Sequence, residues 1–193
     1  LDGEAQKGAD AALAAQSPEA QLNFYSELAR DFPHNPEYTR LYAQRLIWNG
    51  KLAEAAGAYA GLVKGTPEDL ESRLLLIPLL VQLGKTAEAT PHLREAEKQS
   101  ENNPDLLSLL AGFWVQMNGD ADAERLYRSA IELAPAAQKP KHLIALTRFY
   151  FAEERPDSAV PLLKKLESLR PDDPAILSVV GNFYQQAKRD GES

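Results

Sequence analysis

Apolar residues recur along this chain at steps of three and four, the spacing of one face of an α-helix. The run Leu107, Leu110, Ala111, Trp114 is one such face, and Leu143, Leu146, Tyr150 is another. Polar and turn-forming residues interrupt each run after about 14 positions, so the pattern is one of many short amphipathic helices and needs no strand. It predicts about eleven helices, near 3–16, 18–31, 36–49, 52–65, 69–83, 86–99, 104–118, 121–134, 139–153, 157–169 and 174–188.

The faces keep a common phase. Ala55, Ala89, Ala123 and Ala159 stand at steps of 34, 34 and 36. Tyr59, Leu62 and Pro67 follow Ala55 at steps of 4, 3 and 5; Tyr127, Ala130 and Pro135 follow Ala123 in the same way, as do Leu163, Leu166 and Pro171 after Ala159. Leu93 and Ala96 follow Ala89, with Glu101 in place of the proline. A degenerate copy precedes these: Tyr25, Leu28 and Pro33 are in register, but Gln21 holds the small-residue position. Two antiparallel helices that pack closely need a small side chain where they cross, which accounts for the alanines. Ala43, Ala111 and Gly181 are the expected facing residues, with bulkier Ile77 and Thr147 in the other two units. Leu46, Leu80, Trp114, Tyr150 and Tyr184 are the expected filling between neighbouring units.

Pro36, Pro104, Pro140 and Pro174 precede the first helix face of each unit, and only Leu70 breaks the series. Proline suits the first helical position, where its missing N–H has no partner to lose, and Asn35, Asn103 and Asp173 are placed to cap. Between the two helices of each pair lie Asn49-Gly50, Gly84, Asn118-Gly119-Asp120 and Pro156-Asp157; glycine is expected to take the left-handed conformation, and Thr86 or Asp to cap the second helix. The two extra residues of the 36-residue step are expected in the loop from Ala136 to Lys139. Pro78, in the middle of a first helix, removes the hydrogen bond to the Leu74 carbonyl and predicts a kink.

Composition narrows the function classes. Of 193 residues, 21 are basic and 28 acidic, a net charge of −7, and no run of Lys or Arg is present to track a phosphate backbone, so nucleic acid is not an expected partner. The longest apolar run, Leu74 to Val81, is eight residues, far short of the roughly 20 that a membrane span requires, so no membrane insertion is expected. The absence of cysteine fits a cytoplasmic and a periplasmic protein equally. The chain opens on Leu1, as expected of a processed or excised segment.

Chemistry-bearing patterns are sparse. His34, His92 and His142 are widely separated and suggest no metal site, and no phosphate-binding loop, nucleophile elbow or zinc-protease motif occurs, so neither catalysis nor a cofactor is expected. The paired carboxylates Glu153-Glu154 and Asp172-Asp173 read as capping or surface charge.

The phased pattern resembles the tetratricopeptide repeat, whose 34-residue consensus runs W-x2-L-G-x2-Y, A-x3-F, A and a closing P. Residues 104–137 match best, through Leu107, Leu110, Ala111, Trp114, Ala123, Tyr127, Ala130 and Pro135, with Leu for the first Trp and Ala for the Gly. The resemblance extends over units 36–69, 70–103, 104–137 and 140–173, with the degenerate unit 2–35 before them and a lone or capping helix 174–188 after. It implies an all-α solenoid of stacked antiparallel helix pairs, a right-handed superhelix forming a single domain over 1–193 and continuing into a longer array or chain. It also implies that first-helix side chains line a concave groove for a peptide or partner protein. Carried over by phase, the groove candidates are Arg40, Gln44 and Trp48, then Leu74 and Gln82, then Ser108 and Gln116, then Lys141, Arg148 and Phe151, and finally Asn182.

Some members clamp a C-terminal carboxylate with Lys, Asn and Arg on three successive first helices. Arg40 and Gln44 imitate the first pair, but the next two units offer Leu75, then Asp105 and Leu109, where the clamp needs an amide and two cations, which disfavours tail binding. The function implied is a non-catalytic protein–protein interaction scaffold. The alternatives are a spacer or self-association segment of a bacterial envelope assembly or polysaccharide-export protein, and the regulatory domain of an enzyme whose catalytic part lies elsewhere.

Overall fold

The computed structural model describes residues 17–169 and 172–191. Ten helices follow one another there: α1 (Pro18–Asp31), α2 (Pro36–Trp48), α3 (Leu52–Gly65), α4 (Leu70–Gln82), α5 (Thr86–Gln99), α6 (Pro104–Gln116), α7 (Asp120–Leu133), α8 (Lys139–Ala152), α9 (Pro156–Leu169) and α10 (Pro174–Gly191). No strand occurs among the described residues. The expected helix 3–16 and Pro171 lie outside them.

The chain divides into two compact units, Leu1–Gln99 and Ser100–Ser193. In the first, α1 to α5 pack each on the next; in the second, α6 to α10 do the same, and α6 also touches α8. Helix pairing is therefore local in sequence, as stacked hairpins require.

The helix starts follow from their side chains. Asn35 accepts from the Glu37 amide at 3.1 Å, Asn103 from Asp105 and Leu106 at 3.1 and 3.2 Å, and Asp173 from Ala175 at 3.0 Å. Where Leu70 breaks the proline series, Asp69 still caps, accepting from the Ser72 amide at 3.0 Å. The second helices start differently from expectation: α3 and α7 have no side-chain cap.

Their entry is organised by the turn itself. The amides of Lys51, Lys85, Gly119 and Arg155 donate to the carbonyls of Leu46, Leu80, Trp114 and Tyr150 at 2.8 to 2.9 Å. Those of Gly50, Gly84, Asn118 and Glu154 donate to the carbonyls of Ile47, Val81, Val115 and Phe151. This is the paired bonding of a Schellman motif, formed four times. Its left-handed residue is glycine at Gly50 and Gly84 but Asn118 (φ 57°) and Glu154 (φ 54°) in the second unit. Gly119, expected to supply the left-handed backbone, is instead required for space: a Cβ there would meet the Trp114 ring at 2.6 Å.

The extra residues after Pro135 divide between two places. The loop from 134 to 138 is five residues against four for 100–103, and α8 gains a residue at its start, Lys139, for 14 against 13 in α6. Helix α4 continues on both sides of Pro78.

The core carries the repeat. Ala55, Ala89, Ala123 and Ala159 are completely buried, as are the facing Ala43, Ala111, Ile77 and Thr147. Thr147 satisfies its hydroxyl by donating to the Leu143 carbonyl at 2.8 Å. Gly181 departs from expectation: it is exposed, and a Cβ there would meet nothing within 4 Å. Leu46, Leu80, Trp114 and Tyr150 are buried between neighbouring helices. Each such leucine contributes roughly 1.5 to 3 kcal/mol relative to an exposed one.

Candidate functional site

In the first unit the first-helix surface begins with a charge cluster. Arg40, on α2, sends Nη2 to both oxygens of Asp69 at 3.0 Å, Nε to Ser72 Oγ at 3.1 Å and Nη1 to Glu71 at 2.9 Å. Asp69 and Glu71 belong to the start of α4, so the guanidinium ties two successive first helices together. Burial pushes the Asp69 carboxyl up, but the bonds from Ser72 and Arg40 outweigh it and hold the group below the usual carboxylate range.

The second unit places a different polar set at the same phase. Ser108 Oγ lies 2.7 Å from His142 Nδ1, His142 Nε2 lies 3.3 Å from Asp105, and Lys141 pairs with Asp105. A serine, a histidine and a carboxylate thus meet, but His142 is only 2% exposed and Asp105 is engaged by Lys141. These contacts join α6 to α8 as Arg40 joins α2 to α4. Burial, reinforced by Lys141, lowers the His142 pKa against the opposing pull of Asp105.

Three groove candidates, Arg40, Ser108 and Lys141, are therefore engaged in repeat-to-repeat contacts. Gln44, Gln82, Gln116, Arg148 and Asn182 are exposed, and Leu74 is half-buried. Arg148 forms no ion pair among the described residues. Trp48, at the end of α2, is 71% exposed with the Arg45 guanidinium 4.0 Å above its ring. Phe151 must be reassigned. It is 6% exposed and stacks on Phe183 of α10 at 5.0 Å, with the rings 9° from parallel, so the last helix covers the face that phase alone left open.

Several organising residues escaped the sequence reading. Asp69 carried a signal, because it occupies the capping phase of Asn35 and Asn103. Glu124 carried only its i, i+4 spacing to Arg128. It accepts from Arg128 of its own helix at 2.9 Å, and from Tyr150 at 2.8 Å and Arg155 at 2.9 Å, two partners known only once α7 and α8 are packed. Among the described residues, no three His, Asp or Glu are grouped to hold a metal ion, and no helix is long and apolar enough to cross a membrane.

Helix pairs repeated at a fixed period, each closed by the same turn, define an α-helical repeat protein. Residues 80–147 match the family model described as tetratricopeptide repeat. Such repeats are in general protein–protein interaction scaffolds and are typically non-catalytic. No curated protein sequence matches the chain.

Solved structures share the fold. The tetratricopeptide-repeat protein TTC0263 of Thermus thermophilus is 20% identical, with 87% of this chain and 91% of that one covered and a TM-score of 0.57. MamA from residue 41 to its end, of Desulfovibrio magneticus RS-1, is 17% identical over 88% and 94%, with a TM-score of 0.66. YrrB, described as a tetratricopeptide-repeat protein with an unusual peptide-binding site, is 17% identical over 83% and 82%, with a TM-score of 0.60. At such identities the likeness speaks to the fold alone.

Proposed function

We propose that the protein is a non-catalytic scaffold that holds a peptide or a partner's segment against first-helix side chains. The observation that carries this reading is the contrast within the second unit. Gln116 on α6, Arg148 on α8 and Asn182 on α10 are exposed on successive first helices, whereas at the helix starts Ser108 is bonded to His142 and Asp105 is paired with Lys141. Amides with both donors and acceptors suit a peptide backbone, and an unpaired guanidinium suits a carboxylate.

The test is selection from a displayed peptide library on the whole chain, followed by affinity measurement on Arg148→Ala and Gln116→Ala. The expected result is enrichment of acidic peptides and about tenfold weaker binding to Arg148→Ala, the loss of one charge-assisted contact, at an unchanged melting temperature. Equal affinity for both variants and the parent overturns this reading.

A further inference from the structure

Among the described residues, α10 is a first helix with no second helix after it. On α6 the stripe Leu107, Ala111, Trp114 is buried, and so is its equivalent on α8, Leu143, Thr147, Tyr150; α7 and α9 pack on those helices. The same stripe on α10, 34 residues further on, is Leu177, Gly181, Tyr184. It is open: Leu177 is 45% exposed, a Cβ on Gly181 would meet nothing within 4 Å, and Tyr184 is only half-buried. The adjoining stripe is occupied, since Ile176 and Val180 are buried and Phe183 stacks on Phe151. The helix is thus anchored along one side and leaves beside it an apolar strip with glycine in the middle.

That strip is complementary to itself. Asp173 stands four residues before Leu177, and Lys188 four residues after Tyr184, so helical phase puts both on the strip, one at each end. Set a second α10 against it, antiparallel, about an axis between Val180 and Gly181. Leu177 then comes level with Tyr184 of the second copy, and Asp173 with Lys188, because the members of each pair are equally far from that axis. A parallel pair would oppose like charges at both ends. Asp190, the next acidic residue, falls about 200° round the helix from Lys188 and off the strip. Asp173 caps its own helix, accepting from the amides of Ala175 and Ile176 at 3.0 and 3.4 Å, and a carboxylate has acceptor sites for more than these two. Glycine at the crossing point lets two helices approach closely.

We propose that α10 is a homodimerisation helix, whose open strip pairs antiparallel with the same strip of a second copy and crosses it at Gly181. The match about a midpoint is what selects a second copy, since a helix of an unrelated protein requires no such symmetry. The contact uses the same surface on both chains, so it closes at two copies. Gln116, Arg148 and Asn182 are not on the strip, so the pairing and the peptide surface proposed above stand or fall separately.

The test is sedimentation equilibrium of the whole chain from about 1 μM to about 1 mM. The expected result is a reversible passage from one copy to two. Leu177→Glu, at an exposed position, should weaken the association at least about tenfold with its helical circular dichroism unchanged, because it sets a carboxylate in the apolar middle of the contact. Lys188→Glu should weaken it too, and mixing that chain with Asp173→Lys should restore a mixed dimer, each chain supplying the charge that the other has lost. If Asp173→Lys fails to fold for want of its cap, cysteine decides, because the chain has none of its own. Gly181→Cys, beside the axis, should oxidise to a linked dimer, whereas Ala175→Cys, exposed at a different phase, should not. A monomer at every concentration overturns the proposal and leaves the strip to a helix of another protein. A dimer indifferent to both Leu177→Glu and Lys188→Glu, or equal linking of the two cysteines, overturns the assignment to α10, and growth beyond two copies overturns the closed pairing.

Discussion

Nη2 of Arg40 lies 3.0 Å from both carboxylate oxygens of Asp69, so one guanidinium fastens the middle of α2 to the residue that caps α4. The arginine side chain is 16% exposed and the aspartate 8%, which keeps solvent from screening the pair. Removing the cation would strand a largely buried carboxylate that is also a helix cap. Arg40→Ala is expected to cost about 2 to 3 kcal/mol. Urea denaturation with the slope held equal measures it. Arg40→Lys should recover only part of the loss, because a single ammonium cannot reach Asp69, Ser72 and Glu71 together. A change below about 0.5 kcal/mol for the alanine variant would show that the contact does not hold the two helices.

Stability should fall as the solution is acidified through the histidine range. His92 and His142 are both held below their ordinary value of 6.5, by burial first and then by Arg73 and Lys141 respectively. The unfolded chain therefore takes up protons that the folded chain refuses. Their contribution is intact above 6.5 and is lost as the pH falls from there through the folded values. The urea midpoint should drop between about pH 7.5 and pH 5.5, and the double variant His92→Gln/His142→Gln should show a smaller drop. Parallel curves for the two proteins would remove this assignment.

Glu154 holds a left-handed turn position, φ 54°, that Gly50 and Gly84 fill in the other unit. Glu154→Gly should stabilise the protein by up to about 1 kcal/mol, the relief of the Cβ strain less the added freedom of the unfolded chain. Gly84→Ala should cost about 1 kcal/mol through the backbone alone, since a Cβ there meets nothing within 4 Å. Differential scanning calorimetry of the two variants should therefore move the melting temperature in opposite directions. A lower melting temperature for Glu154→Gly would sink the argument.

Two aromatic groove candidates should behave oppositely when truncated. Phe151, buried against Phe183, should cost about 3 kcal/mol on mutation to alanine, because it leaves a cavity. Trp48, 71% exposed, should cost no more than about 1 kcal/mol, the loss of its stack on Arg45. Thermal melts followed by circular dichroism compare them directly, and equal costs would contradict the burial difference.

Most of the scaffold was readable in the sequence because its signals are short-range and repeated. Pro36 with Asn35, and Pro104 with Asn103, each specify a helix start within three residues, and the buried alanines recur because every helix pair crosses in the same way. The groove was readable only by phase, and phase does not say which neighbour reaches a side chain first. Arg40, Ser108 and Lys141 have the right phase but are claimed by residues of a neighbouring repeat.

The sequence by itself determined the order of the described helices, the period, their starts and the positions of the turns, since each depends on bonds spanning a few residues. Tertiary structure alone decided that Gly119 is needed for space, because the Trp114 ring lies where a Cβ would stand. It decided that Phe151 is covered by Phe183 and that Gly181 faces open space. It also decided that Glu124 and Arg128 reach Tyr150 of the next helix. In each case the outcome depends on how far a side chain projects toward a neighbouring helix, a distance that no local pattern of apolar and polar residues encodes.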